Sequence, residues 1–169
     1  MKKIMVIMCV VAATLVSCDD NAKSTSNTQS IAGNYVLTSL VSDVAVDLDQ
    51  DGTSDTQLMN ETTCFDTVAI SFDANGNFTT TVSEVGFDAN NVLTCSTIVT
   101  TGTYTFANSV LTITTAVNGG SVTESKAVLL TATTLEIGAT DTEVAQYFTN
   151  SPGTPASAIT QIDAIYTKI

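Results

Sequence analysis

Short runs of alternating apolar and polar residues, separated by turn signals at intervals of roughly ten residues, constrain the fold of this chain most strongly. The clearest run covers residues 68–72, where Val, Ile and Phe alternate with Ala and Ser. The turn residues 73–76 follow and end in an Asn-Gly pair, which accepts the positive φ that tight turns require. The alternation resumes over residues 78–82. The sequence therefore predicts a β-hairpin here.

The same kind of pattern recurs from residue 31 onward, and Thr, Val and Ile, which favour pleated strands, are abundant in it. Each run has one apolar face and one face rich in Thr and Ser, as in a single sheet wrapped around a core. Successive hairpins favour an all-β, antiparallel up-and-down barrel, because closure removes edge strands that would otherwise pair with other chains. Besides the hairpin, the predicted strands are 33–40, 93–99, 102–106, 110–113, 122–130, 134–137 and 159–169.

The N-terminal residues resemble a bacterial lipoprotein signal. Met1-Lys2-Lys3 precedes an apolar run over 4–11, and Leu15-Val16-Ser17-Cys18 follows it. The apolar run is shorter than the roughly 20 residues needed to cross a bilayer, which disfavours a transmembrane helix. The resemblance implies cleavage before Cys18 and a lipid on its sulfur, with a plain secretory signal as the alternative. The expected divisions are a signal peptide over 1–17, a lipidated, flexible tether over 18–30 and a folded domain over 31–169.

Two of the four cysteines remain for the folded domain. Cys9 lies in the signal and Cys18 takes the lipid, which leaves Cys64 and Cys95. Disulfides persist in exported proteins, so a bridge between Cys64 and Cys95 is expected. Two buried free thiols are the alternative.

The charge balance argues against several classes of function. The chain has a formal net charge of −12, no His and five basic residues, all of them Lys. Removal of the signal would leave three Lys against 17 acids, a net charge of −14. A chain so acidic lacks the basic surface that nucleic-acid binding requires, and without His it cannot build the usual catalytic triads. We therefore expect a protein that is not an enzyme and does not bind nucleic acid.

An acidic loop begins like a calcium-binding loop of the D-x-D-x-D-G type. Oxygen ligands at alternate positions converge when a glycine lets the chain turn sharply, and Gly52 stands at that place. The twelfth position is Leu58 and not the usual bidentate Glu, so Glu61 or Asp66 would have to supply that ligand. An acidic turn without metal is the alternative. The candidate calcium ligands are Asp47, Asp49, Asp51, Thr53 through its carbonyl oxygen, and Asp55.

Several short motifs resemble the lipocalin-like lipoproteins of Gram-negative bacteria. Gly33-Asn34-Tyr35 is similar to the Gly-x-Trp start of lipocalins, but Tyr35 replaces the usual Trp and the chain has no Arg to pack across it. The resemblance implies a barrel of about eight strands that can hold a small apolar ligand. The other motifs that carry it are the loop 47–52, Cys64, the Asn75-Gly76 hairpin, Cys95, Gly102-Thr103-Tyr104 and Tyr166-Thr167-Lys168.

Aromatic residues in phase on these strands are the candidates for a ligand pocket: Tyr35, Phe72, Phe78, Tyr104 and Phe106. Simple core packing is the alternative, because side chains fill a small barrel.

The sequence as a whole predicts a lipid-anchored envelope lipoprotein, held at the outer membrane on its periplasmic face or at the cell surface, with a barrel that binds a small apolar molecule. The alternative is a structural or interaction module, in which a filled barrel contacts a protein or a glycan through its loops. The expected partners are the membrane, through the N-terminal lipid, and the small ligand.

Overall fold

The computed structural model of the protein describes residues 29–140, 144, 147–149 and 154–169, and most of them are extended. No helix in this part of the chain is long and apolar enough to cross a bilayer. The strands are β1 (Gly33–Val46), β2 (Asp55–Gln57), β3 (Ala69–Phe72), β4 (Asn77–Phe87), β5 (Leu93–Ala107), β6 (Val110–Val117), β7 (Gly120–Ala127), β8 (Leu129–Leu130), β9 (Thr134–Thr140), β10 (Phe148–Thr149) and β11 (Gln161–Lys168). The helical segments include α1 (Leu58–Glu61) and the 3-10 helices Thr63–Thr67 and Pro155–Ala158.

The strands form one curled, antiparallel sheet in the order β7-β6-β5-β4-β3-β1-β11-β9-β8. β2 pairs with β1, and β10 pairs in parallel with β4. Eight of these strands have four or more residues, and β2, β8 and β10 have two or three. The predicted all-β class is confirmed, and the curled sheet is consistent with a lipocalin-like barrel.

The first strand, β1, and the last, β11, pair inside the curled sheet, whereas the end strands β7 and β8 are not paired with each other, and we call the gap between these two ends the seam. β1 pairs with β11 from Tyr35 opposite Lys168 onward. The two ends of the sheet, β7 and β8, are separated in sequence by Val128 alone, whose N–H donates to the carbonyl oxygen of Ser109 at 2.9 Å. The predicted strand over 122–130 is therefore interrupted at Val128, because the chain crosses there from one side of the seam to the other.

The predicted hairpin lies between β3 and β4. The Asp73 carboxylate caps the turn by accepting hydrogen bonds from the backbone N–H groups of Asn75 and Asn77, each at 2.8 Å. Gly76 adopts φ +84°, a conformation that favours glycine. The alternation, the turn and its cap agree, so the hairpin prediction is confirmed.

The chain does not turn at Gly102. The expected strands 93–99 and 102–106 form the single long strand β5, because β4 pairs with it continuously from Asn77 to Phe87. A side chain at Gly102 would collide with the carbonyl oxygen of Thr114 and the ring of Phe78. This glycine therefore permits a close approach of strands and does not mark a turn.

The most deeply buried side chains lie on β1, β4, β9 and β11, in the loop after β1 and on the segment between β2 and β3. Apolar side chains from the helical turns, such as Leu58 and Phe65, belong to this core. The fully buried apolar residues are Tyr35, Leu40, Leu48, Leu58, Phe65, Val68, Val85, Leu135 and Ile162.

A disulfide joins Cys64 in the first 3-10 helix to Cys95 on β5, with 5.5 Å between the two Cα atoms. The predicted pairing is therefore present. Thr62 begins this helix, and its hydroxyl oxygen accepts a hydrogen bond from the Cys64 N–H at 3.1 Å. The bridge ties this 3-10 helix covalently to the long strand β5.

Candidate functional site

A cavity of about 680 Å³ lies inside the curled sheet. Successive side chains of a β-strand point to opposite faces of the sheet, so every second residue of a strand can face the cavity. On β4 these residues are Phe78, Thr80 and Val82. The lining is mainly apolar, with Thr, Ser, Tyr and one pair of charged residues. The lining residues are Ile70, Phe72, Phe78, Thr80, Val82, Thr100, Leu111, Ile113, Thr115, Val122, Glu124, Ser125, Lys126, Ile137, Ala139, Tyr147 and Tyr166.

Two of the five predicted pocket aromatics, Phe72 and Phe78, line this cavity. Tyr35 and Tyr104 instead pack edge-on against Phe72, with ring centroids 6.1 and 4.8 Å away. Phe106 is half-buried and packs against the core. The two tyrosine hydroxyls also have partners in the protein, because Tyr35 donates to Ile31 O and Tyr104 to Asp73 O.

This chain has no Arg to pack across the aromatic residue of the Gly-x-Tyr motif, but the ammonium group of Lys168 lies over the Tyr35 ring instead. Its Nζ lies 5.6 Å from the centroid of the Tyr35 ring and donates to the carbonyl oxygen of Ala32 at 2.7 Å. A Cβ at Gly33 would collide with the Lys168 side chain. The Gly-x-Tyr motif therefore gives Lys168 both an aromatic ring to lie over and, at Gly33, the space for its side chain.

Tyr166 and Tyr147 form the polar part of the cavity wall on the β11 side. Burial, and next the proximity of Tyr147, raises the pKa of Tyr166 well above its ordinary value. Its hydroxyl therefore stays neutral. The sequence prediction considered only aromatic residues as pocket candidates. The alternation of side chains along β6, β7 and β9 could have identified the other lining residues on those strands.

The acidic loop brings together three carboxylates, those of Asp47, Asp49 and Glu61, whose oxygens lie within 4.8 Å of one another. The loop is folded around Asp47, which accepts hydrogen bonds from the N–H groups of Asp51 at 3.0 Å and Gly52 at 2.9 Å. Hard oxygen ligands in such proximity suit a calcium ion.

Glu61 is the buried member of this cluster, with 5% of its surface exposed. One of its oxygens, Oε2, accepts a hydrogen bond from the N–H of Leu48 at 2.9 Å. Burial raises the pKa of the Glu61 carboxyl, and the negative charges of Asp49 and Asp47 add to this, against the lowering effect of the Leu48 N–H. Glu61 was one of the two residues that we considered as a substitute for the missing twelfth ligand, and its carboxylate lies beside those of Asp47 and Asp49.

Asp51 and Asp55, two of the other predicted calcium ligands, are not members of this cluster of carboxylates. Asp51 accepts a hydrogen bond from the N–H of Thr53 at 2.7 Å. Asp55 accepts from Asn60 Nδ2 at 2.7 Å and from the N–H of Gln57 at 2.9 Å. The Asn60 amide is the main cause of the lowered pKa of Asp55, followed by that N–H group. Asp66, the second substitute considered, is exposed.

The predicted lipid-attachment residue, Cys18, lies outside the described residues. The expected signal peptide over 1–17 also lies there, with all of the tether except Gln29 and Ser30. These predictions concern anchorage, and they stay predictions.

The fold and cavity define an all-β protein with a curled antiparallel sheet around an internal space. A family model described as a domain of unknown function, DUF5004, matches residues 13–160, and the chain belongs to this family. No curated protein and no solved structure matches the chain significantly.

Proposed function

We propose that this protein is a lipid-anchored envelope lipoprotein whose barrel binds a small apolar ligand without catalysing a reaction on it. The lipid would attach at Cys18, and the tether that follows would hold the barrel near the outer membrane. The observation that carries the ligand-binding part is the cavity of about 680 Å³.

The size and lining of this cavity support the proposal. Ligand sites of small molecules typically measure about 300–1,000 Å³ and have apolar walls with a few polar groups. Here Phe72, Phe78, Leu111 and Ile113 supply the apolar wall. A filled barrel that contacts a protein or glycan through its loops would leave no such space, so the cavity favours ligand binding over that alternative.

Displacement of a neutral fluorescent probe from the mature domain tests ligand binding. Val82→Phe adds volume inside the cavity and should weaken probe binding. Val99→Phe makes the same change on β5 at a residue that is 63% exposed and does not line the cavity, so it should have no effect. If both variants bind the probe as the wild type does, the cavity is not the site. Native mass spectrometry of protein isolated from its own host would identify the ligand.

Membrane fractionation tests the anchor. Cys18→Ala removes the sulfur that the lipid needs and should release the protein from the membrane fraction, whereas Cys9→Ala, a change within the expected signal, should not. A Cys18→Ala protein that still sediments with membranes would contradict lipidation.

A second proposal concerns the cluster of Asp47, Asp49 and Glu61. Three carboxylates within 4.8 Å of one another, one of them buried, place several negative charges in a small volume. Buried charges are stabilised by an opposite charge. We infer that this cluster binds calcium, weakly, in the range of about 0.1–1 mM found for extracellular modules.

A further inference from the structure

The long strand β5 extends beyond the end of its neighbour β6. β5 pairs with β4 continuously from Leu93 to Thr103, whereas its pairing with β6 begins only at Gly102. In the part of the chain that the structure describes, no strand therefore pairs with the other edge of residues 93–100. We call this stretch the free edge.

The main-chain groups of the free edge are placed to receive another strand. The N–H of Tyr104 donates to Gly76 O, on the β4 side of β5, at 2.7 Å. In an antiparallel sheet the N–H and C=O groups of successive residues point to opposite edges, so those of Cys95, Thr97 and Val99 point away from β4. Such a row of main-chain groups is a template on which a further strand can pair.

The side chains of the free edge carry none of the features that keep edge strands from pairing, which are charges, prolines and bulges. No charged residue and no proline stands between Asp88 and Glu124, and the pairing with β4 has no register shift. Ile98 is 42% exposed and Val99 63%, one on each face of the strand. β7, at the end of the sheet, carries the charged residues Glu124 and Lys126 instead.

The chain itself contains the strand that fits this edge, which is β5 of a second copy. A row of main-chain groups requires a strand as its partner, and an uncharged edge favours an uncharged strand. The formal net charge of −12 makes two copies repel each other over most of their surfaces, so they can approach best where acids are absent. Two free edges are such surfaces, and they complement each other when a two-fold axis relates them.

We propose that the protein forms a symmetric dimer in which the two free edges pair antiparallel, with Ile98 at the two-fold axis. This register brings the two exposed Ile98 side chains together and places Val99 opposite Thr97 of the partner subunit. The sheet then continues from one copy into the other. The inference does not depend on ligand binding in the cavity.

Sedimentation velocity of the Cys18→Ala protein, from micromolar to millimolar concentration, tests the dimer. It should show a monomer–dimer equilibrium that shifts toward the dimer at higher salt, because salt screens the repulsion between two acidic chains. Thr97→Pro removes an N–H that points to the free edge and leaves the pairing with β4 intact. The loss of this hydrogen bond in both copies should weaken the dimer by at least about tenfold.

Ile98→Lys should weaken the dimer too, since it places two ammonium groups opposite each other at the axis. Leu129→Lys is the matched control, because it makes the same change on β8 at a residue that is 60% exposed, and it should leave the dimer unchanged. Both variants change the net charge equally, so a difference between them reports the contact itself. Circular dichroism checks that each variant is folded.

Ile98→Cys tests the register. Residues directly opposite each other in a non-hydrogen-bonded antiparallel pair have Cα atoms about 4.5 Å apart, which is within disulfide range. Oxidation should therefore cross-link Ile98→Cys into a covalent dimer on a non-reducing gel and leave Leu129→Cys a monomer. A dimer in which Ile98→Cys does not cross-link would contradict the proposed pairing.

A wild-type edge that stays monomeric at every concentration would overturn the inference, and sedimentation of that monomer with phosphatidylcholine vesicles would assign the apolar edge to a membrane. A dimer that persists in both Thr97→Pro and Ile98→Lys would overturn it as well, because it must use another surface. None of these results concerns the cavity, so displacement of the neutral probe tests the proposed function separately.

Discussion

The two sides of this barrel are packed differently. On β1, β9 and β11, Leu40, Leu135 and Ile162 have at most 1% of their surface exposed. On β6 and β7, Ile113 is half-buried and Val122 is 43% exposed, although both face the interior. We call the first the filled side and the second the open side. The comparison shows that one continuous sheet can be closely packed on one side and border a cavity on the other.

The largest expected effect comes from truncation on the filled side. Leu40→Ala should lower the free energy of unfolding by about 2–5 kcal/mol, because it removes buried methyl groups and leaves a cavity. Ile113→Ala on the open side should cost only about 1 kcal/mol, since part of that side chain already contacts solvent. Urea denaturation of the two variants measures the difference. Equal losses would mean that the open side is part of the core.

The disulfide joins the 3-10 helix Thr63–Thr67 to β5, the strand next to β6 of the open side. Cys64→Ala together with Cys95→Ala should cost about 2–4 kcal/mol, because the unfolded chain regains the freedom of the closed loop. The variant should also bind the neutral probe less well if the bridge positions β5. Thiol labelling of unfolded, unreduced wild-type protein should find neither cysteine. Reaction of both would contradict the bridge.

Calcium should act on the filled side, where the acidic loop places Leu48 and Leu58 in the core. At about fivefold excess over the dissociation constant it should add about 1 kcal/mol of stability, measured as a rise in melting temperature, and magnesium should do less. Asp47→Asn together with Asp49→Asn should remove the effect. Glu124→Gln, a change on the open side, should retain it. An unchanged melting temperature of the wild type in millimolar calcium would identify the loop as an acidic turn.

The smallest effect is a pH dependence in calcium-free buffer. The pKa of Glu61 is raised in the folded state, so the folded protein holds this proton more tightly than the unfolded chain does. The contribution of Glu61 to stability therefore falls as pH rises from the ordinary glutamate pKa of about 4.3 through the raised value. Glu61→Gln should remove that fall. The urea midpoints of the wild type and of Glu61→Gln, measured from about pH 4 to about pH 7, test this. If the two midpoints change with pH in the same way, Glu61 is not the cause of the pH dependence.

The sequence alone predicted the features that depend on short stretches of residues or on residue counts. The hairpin at Asp73–Gly76 follows from alternation and turn chemistry alone, and the pairing of Cys64 with Cys95 follows from their number and the expected export. The strand that was expected to begin at Gly102 is part of a longer one. A glycine stands there because Thr114 and Phe78 on the neighbouring strands leave no room for a side chain.

Other features depend on contacts between distant parts of the chain. The role of Lys168 over Tyr35 requires that the first and last strands pair. The approach of Glu61 to Asp47 requires the helical turn α1, whose four residues are too few to give a helical pattern. The space on the open side depends on how far the sheet curls, which no single strand determines.

The pairing of β1 with β11 also has a consequence for how the protein folds. Lys168 and Ala32 are in contact although 136 positions separate them, whereas the pairings of β3 with β4, β4 with β5, β5 with β6 and β6 with β7 each join strands that are neighbours in sequence. Contacts distant in sequence form slowly, because the entropy of a large loop must be lost before they are made. The open side can therefore assemble first as a series of hairpins, and the docking of β11 against β1 comes late. A chain delayed at that step presents a bare edge of β1, the part of the molecule most exposed to wrong pairing with another copy.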